Sequence, residues 1–196
     1  MPITWMRINS PDISRISRVV AQTLRFHKQL TAPKLVDICE VVESVFPLFS
    51  SRLNIDQVSI EREYLANEKI WCFSDDLRHA FANLVGNSLD SIPHDGCIRV
   101  RVRIGHRWAE GCERGILVVV ADTGHGISQA MRMRLFEPFV TTKEATGTGL
   151  GLWATENIVR KHRGRIVCRT SSEPGRSGTV FSIFLPFGGV RPDTLG

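Results

Sequence analysis

No run of apolar residues in this chain approaches the roughly 18 needed to span a bilayer, and the first thirty residues alternate polar and apolar groups too finely for a signal-peptide core. The five cysteines, Cys39, Cys72, Cys97, Cys112 and Cys168, contain no C-x-x-C pair and are odd in number, so neither a disulfide framework nor a zinc site is indicated. A reducing cytoplasm is the expected location, with no membrane contact by these residues; a membrane-attached parent stays open, since Met1 can mark the start of a fragment. None of His79, His94, His106, His125 or His162 has metal-ligand spacing to another histidine, and Trp5, Trp71, Trp108 and Trp153 are too dispersed for a base-stacking platform. Internal repeats and low-complexity tracts are absent. So is the phosphate loop G-x-x-x-x-G-K-[ST], and the glycines follow no strand directly, so a nucleotide here is not held in the P-loop or Rossmann manner.

What is present is enough apolar material, 42% of 196 residues, for one main domain with an N-terminal appendage. The formal charge of +5 is spread as scattered Arg and Lys, and a solvated basic surface explains it without nucleic acid. CIRVRVRI (97 to 104) alternates apolar Ile98, Val100, Val102 and Ile104 with Arg99, Arg101 and Arg103, a strand with one face buried and one in water. The arginine stripe also matches nucleic acid, but the wet face of a strand requires the same pattern. GILVVVA (115 to 121) is a continuous apolar run and reads as a central strand.

Helical periodicity predicts an amphipathic helix over Ser10 to about Leu30, ended by Pro33, and a second from about Asp37 to Arg52 that Pro47 kinks or limits. Further helices are expected at about 75 to 92, 128 to 136 and 149 to 163. Strands are expected at 56 to 63, 69 to 73, 165 to 170 and 179 to 185, and the tail from 189 to 196 has no core to join. Helices and strands are interspersed without a regular βαβ rhythm, which points to α+β: a two-layer α/β sandwich with a mixed sheet of about five strands, covered on one face by about three helices and preceded by the N-terminal helix.

Three stretches carry chemistry. On the helix from 75 to 92, Leu77, Phe81, Leu84, Val85, Leu89 and Ile92 share one face, while His79, Asn83, Asn87 and Asp90 share the other. Asn83 and Asn87 project side by side, and amide oxygens are hard neutral donors suited to a Mg²⁺ already carrying water and phosphate oxygens, with Asn87 as the metal ligand. Asp122 ends an apolar strand, where its carboxylate can accept a hydrogen bond from an exocyclic amine such as that of adenine. Gly124 and Gly126 follow it, offering positive φ and close approach to a flat ring; a simple β-turn explains the Asp-x-Gly-x-Gly run equally well. GTGLGL (147 to 152) opens a helix, placing backbone N–H groups at the positive end of the dipole, where phosphate oxygens bind. Upstream, TTKEAT (141 to 146) places Lys143 to reach a terminal phosphate or to be an ordinary surface lysine.

In order, NLVGNSLD, DTGHGI, FEPF, GTGLGL and SGTVFSIFLP resemble the N, G1, F and G2 boxes and closing strand of the ATP-binding catalytic domain of bacterial histidine protein kinases. That domain shares a superfamily with DNA gyrase, MutL and the ninety-kilodalton heat-shock chaperones. The resemblance covers residues 36 to 187 and implies domains at 1 to 33 (remnant of a dimerisation hairpin), 34 to 188 (ATP-binding) and 189 to 196 (flexible tail). By it Asn87 holds magnesium, Asn83 and Lys143 assist phosphoryl transfer, Asp122 anchors adenine with Thr179, and Gly124, Gly126 and Ile127 border the base. Thr142, Lys143, Gly147, Thr148, Gly149, Leu150, Gly151 and Leu152 surround the phosphates, with 140 to 148 as an ATP lid.

The implied cofactors are ATP and Mg²⁺, and the implied partners are a phosphoacceptor histidine helix and a response regulator receiver domain, with pairing of the exposed apolar face of the N-terminal helix as a route to a homodimer. The departure from the pattern is the first hairpin helix. His27 lies in the matching second helix and lacks the acidic neighbour that would assist proton transfer, so the acceptor is expected on a helix outside this chain. The expected activity is that of a histidine kinase in a two-component phosphorelay. The alternatives are a non-enzymatic ATP-responsive module, a gyrase- or MutL-type ATPase, disfavoured because Asn83 stands where those members resemble one another in carrying Glu, and a serine kinase acting on an anti-sigma antagonist.

Overall fold

Alternating Val and Ile on one face of the long strands, against helices with matching apolar stripes, leads in the computed structural model to a helix layer over a sheet. The structure describes residues 32–107, 112–141, 147–173 and 175–190. In chain order these form β1 (Lys34–Asp37), α1 (Ile38–Glu43), a 3-10 turn (Phe46–Phe49), α2 (Ser50–Ile55), β2 (Ser59–Tyr64), β3 (Lys69–Cys72) and α3 (Ser74–Ser91). There follow β4 (Cys97–Arg107), β5 (Glu113–Asp122), α4 (Gln129–Arg132), α5 (Gly151–Lys161), β6 (Arg165–Ser171) and β7 (Gly178–Pro186).

The main sheet has five strands in the order β2-β4-β5-β7-β6. It is mixed: β2 runs parallel to β4, and the other pairs are antiparallel. The apolar run predicted to be central is β5, in the middle of the order. Its residues Ile116, Val118 and Val120 join Ile98, Val100 and Val102 of β4 and Phe181 and Ile183 of β7 beneath the buried faces of α1, α3 and α5. Phe81, Leu77, Leu84 and Leu89 of α3 are fully buried there, as the periodicity of that helix requires.

Four sequence expectations are corrected. The helix predicted over 37 to 52 is three pieces, because Pro47 sits at the start of the 3-10 turn and cannot donate to a continuous α-helical ladder. Asp37 does cap its start, accepting from the Cys39 N–H at 2.8 Å. β1, unforeseen, pairs antiparallel with β3 in a separate two-stranded sheet; its sequence KLVD holds one adjacent apolar pair and no alternation to mark a strand. The helix predicted over 128 to 136 closes at Arg132 and continues only as turns, up to Phe139 with its φ of 65°. The tail expected to leave the core at 189 packs through Val190, which is 5% exposed, because the Gly189 N–H donates to the Pro186 carbonyl and turns the chain back. The predicted N-terminal helix and residues 191 to 196 lie outside the described residues.

Candidate functional site

A cavity of about 860 Å³ lies where α3, the end of β5 and the start of α5 converge. Its walls bring together Asn83, Asn87, Asp122, Gly126, Ile127, Gly147, Thr148, Gly149, Gly151, Leu152 and Thr179, residues separated by up to nearly a hundred positions in sequence. Gly124 and Leu150 are not among the lining residues, and Thr142 and Lys143 fall outside the described ones.

Asp122 is the last residue of β5 and is 9% exposed. Its Oδ1 accepts from the Gly124 N–H at 3.0 Å, the Thr179 N–H at 3.1 Å and the Ser91 hydroxyl at 3.3 Å. Among the described residues its Oδ2 accepts from the Ser88 hydroxyl alone, at 3.1 Å. One oxygen is saturated by the protein and the other keeps a lone pair for a donor in the cavity. Burial pushes this carboxyl above the ordinary aspartate range, against the hydrogen bonds from Gly124, Ser88, Thr179 and Ser91 that hold it down.

The two serines were not singled out from sequence. Ser88 stands on the apolar side of α3 and is 1% exposed; a hydroxyl buried there has to face a polar group on the sheet, which is the signal that names it.

Each glycine has its own reason. Gly126 has φ of 74°, and a Cβ there would meet the Ser171 carbonyl oxygen at 1.9 Å. Gly124 corrects the expectation of positive φ for both glycines: its constraint is the close approach to α3, where a Cβ would come within 2.1 Å of Ser91 Oγ. It fixes the loop and the Asp122 carboxylate, and does not border the cavity. Gly149 has φ of 65° and packs on the backbone of Phe139.

At the other end, Asn87 projects into the cavity with no side-chain hydrogen bond among the described residues. The Asn83 Nδ2 donates to the Gly151 carbonyl at 3.2 Å, tying α3 to the first turn of α5. Thr155, fully buried, donates its hydroxyl to the same carbonyl at 2.9 Å. α5 itself starts at Gly151 with no side-chain cap, so its first N–H groups are open to an anion at the positive end of the dipole. Among the described residues no group of three His, Cys, Asp or Glu side chains is placed to hold a metal.

His79, expected on the site side of α3, does not line the cavity. His125 does, with Nδ1 2.7 Å from the Gly126 carbonyl. Met131 and Leu135 add apolar wall that the motifs did not announce, beside Val140 of the expected lid and Phe181 of the closing strand.

A family model described as histidine kinase-, DNA gyrase B-, and HSP90-like ATPase matches residues 73–189, which run from just after β3 through the whole cavity and the closing strand. The chain belongs to that family. Sporulation kinase D of Bacillus subtilis is 32% identical over 186 residues, covering 93% of this chain and 34% of that protein. Sensor histidine kinase ZraS of Escherichia coli is 30% identical over 194 residues, covering 97% of this chain and 39% of that protein. The chain thus spans between a third and two fifths of the length of these curated relatives.

The catalytic domain of histidine kinase ThkA has the same fold, with a TM-score of 0.66 at 21% identity over 80% of this chain and 97% of that one. The same kinase solved in complex with the response regulator protein TrrA aligns with a TM-score of 0.68 at 20% identity, over 93% of this chain and 49% of that one. The α+β sandwich expected from the sequence is therefore that of the histidine kinase catalytic domains, and in the described residues no helix is long and apolar enough to cross a membrane.

Proposed function

We propose that this chain is the ATP-binding catalytic part of a sensor histidine kinase, moving the γ-phosphate of Mg-ATP to a histidine nitrogen on a dimerisation helix in a two-component system. The observation that carries the reading is Asp122: a buried carboxylate lining the cavity, with Oδ1 held by three donors and Oδ2, among the described residues, by the Ser88 hydroxyl alone, which leaves that oxygen open to a further donor. An exocyclic amine of adenine donates to the open oxygen, and Ile127 and Phe181 supply apolar surface to the ring. The triphosphate then runs toward Gly147, Gly149 and the uncapped start of α5, where backbone N–H groups receive it.

The amide set fits a hard cation. Asn87 offers a free amide oxygen, and the oxygen of Asn83 is left without a hydrogen bond when its nitrogen serves Gly151. Among the described residues no cluster of carboxylates is placed to hold a cation, so Asn87 and Asn83 would be the groups to hold one beside the nucleotide. Magnesium, when bound, neutralises phosphate charge and orients the γ-group. The chain's own residues bind, align and exclude water, which is most of what phosphoryl transfer asks of a protein. Thr142 and Lys143 belong to this proposal as the segment beside the γ-phosphate, and a response regulator receiver domain as the next acceptor.

A hydrolytic reading is not favoured. Among the described residues the carboxylates lining the cavity are Asp90, paired with Arg52 at 2.8 Å, and Asp122, committed at the adenine end. Neither is left as a general base for water, and the Asn83 amide cannot act as one.

The test is incubation with γ-labelled Mg-ATP, alone and with an acceptor hairpin from a related kinase. Acid-labile, base-stable label on the hairpin supports the proposal, whereas rapid release of phosphate without labelled protein would establish an ATPase instead. Folded protein that binds no adenine nucleotide would remove both readings.

A further inference from the structure

The face of the sheet turned away from the helices has its own relief. Register places Arg103, Leu117, Phe184 and Arg165 in one row across β4, β5, β7 and β6, and Arg99, Ala121, Val180 and Arg169 in another. Between them the row through Val119 and Ser182 ends on β6 at Val167, which is 39% exposed. The two outer strands of this group thus carry arginines, and the two inner ones a mainly apolar floor of Leu117, Val119, Ala121, Val180 and Phe184 that Ser182 interrupts. Gly105 deepens the floor between Arg103 and Arg107: a Cβ there would meet Leu117 Cβ at 2.9 Å, so no side chain fills the notch. The result is a cavity of about 400 Å³ on the opposite side of the sheet from the Asp122 cavity.

Its charge is not cancelled internally. Arg99 and Arg101 are paired with Glu61 and Glu63 across the parallel β2–β4 ladder, and Arg107 with Glu113. Arg103, Arg165 and Arg169 have no carboxylate partner among the described residues, and Arg103 reaches only the Ile104 carbonyl. Three inter-strand steps of about 4.8 Å put the arginines of β4 about 14 Å from those of β6. A helix with its side chains is about 10–12 Å across, and so fills that width.

We propose that this trough is a docking site for an acidic amphipathic helix of a partner, one whose apolar stripe is bordered on both sides by Asp or Glu. The stripe covers Leu117, Val119 and Val167 while the flanking carboxylates meet Arg103 on one wall and Arg165 and Arg169 on the other. Complementary charge sets the partner and its orientation, and the apolar floor supplies area. A second copy of this face repels the first by like charge. Residues 1–31 carry Arg7, Arg15, Arg18, Arg25 and Lys28 against the single Asp12, so that segment has the wrong sign to occupy the trough. Nucleic acid matches the charge but not the floor, since strand-borne base recognition relies on exposed rings, and the ring in this row, Phe184, is buried under the Arg107 guanidinium at 5.7 Å.

The probe is a labelled synthetic helix with a Leu stripe bordered by Glu, titrated into the full chain by fluorescence anisotropy at low and high salt. Its controls are the same peptide with Lys for Glu and a single-stranded oligonucleotide. The Glu peptide is expected to bind with strong salt dependence and to lose at least about tenfold in affinity on Arg103→Glu/Arg165→Glu, while the Lys peptide gains. Mg-ATP affinity, read at the opposite side of the sheet, stays at the wild-type value and certifies the variant's fold. Equal binding of the Glu and Lys peptides, indifference to the double substitution, or tighter arginine-dependent binding of the oligonucleotide overturns the proposal.

Discussion

Replacing Asp122 by Asn separates the role of this residue in the fold from its role in binding. The Asn oxygen still accepts from the Gly124 and Thr179 N–H groups, and the new NH₂ can donate to the Ser88 hydroxyl where Oδ2 now accepts. The fold therefore keeps its hydrogen bonds and sheds a buried charge whose desolvation already pushes the carboxyl upward.

A donor now faces the amine of adenine. Loss of a hydrogen bond to a charged acceptor is about 1.5–3 kcal/mol, which at about 1.4 kcal/mol per tenfold is about 10- to 150-fold in affinity. Titration calorimetry with ATP, beside urea unfolding, is the assay. Asp122→Asn is expected to bind ATP at least tenfold more weakly and to be no less stable than the wild type.

The pH behaviour carries the same sign. With its folded pKa raised, Asp122 contributes stability that is fully present below the ordinary aspartate range and lost as pH rises through the raised value, and the Asn variant removes that slope. Wild-type ATP affinity in turn falls as acid protonates Asp122, at a higher pH than for an ordinary aspartate. Folded Asp122→Asn with wild-type ATP affinity would refute the assignment of the open oxygen.

Asn87→Ala is expected to shift stability by no more than about 0.5 kcal/mol, because the side chain has no hydrogen bond to lose among the described residues, while abolishing the magnesium-dependent part of ATP affinity; titrations with Mg²⁺ and with EDTA decide it. Gly149→Ala forces a Cβ to 2.4 Å from the Phe139 carbonyl carbon at positive φ, and should cost at least about 1–2 kcal/mol along with nucleotide binding, read by thermal melts and ATP titration. His162, 2% exposed at the end of α5, accepts from the Phe73 N–H at 3.0 Å through Nε2 and lies 2.7 Å from the Ile158 carbonyl through Nδ1, so it is held neutral.

Burial lowers the pKa of His162, so its stabilisation is present above about pH 6.5 and is lost as pH falls through the folded value. His162→Phe should cost about 1–3 kcal/mol at neutral pH, by leaving the Phe73 N–H unpaired, and should flatten the acid limb in urea titrations across that range.

Local pattern reached far in this chain wherever a period was long enough to repeat. The eighteen residues of α3 show both faces at once, so its buried stripe and its Asn83–Asn87 edge are legible without a structure. The alternation in β4 announces its wet and dry sides, and the uninterrupted run in β5 its central place. Order of motifs along the chain was likewise sufficient to indicate the family. Elements without a repeating pattern escaped, as β1 with only the adjacent pair Leu35 and Val36, and Pro47 broke a helix whose periodicity had suggested more.

What only the tertiary structure decided is which groups meet across distance. Ser88 and Ser91 close on Asp122, some thirty positions away, each donating to a different one of its oxygens. Gly124 proved to be a spacer against Ser91, and Gly126 the residue at positive φ, although the two are interchangeable in the motif. The arginines of β4 and β6 likewise become the walls of one trough only because β5 and β7 are paired between them. Sequence specifies periods, caps and breaks, since those are interactions between near neighbours; the partner of a buried carboxylate, and the charge facing another across a sheet, are set by pairings that only the closed fold makes.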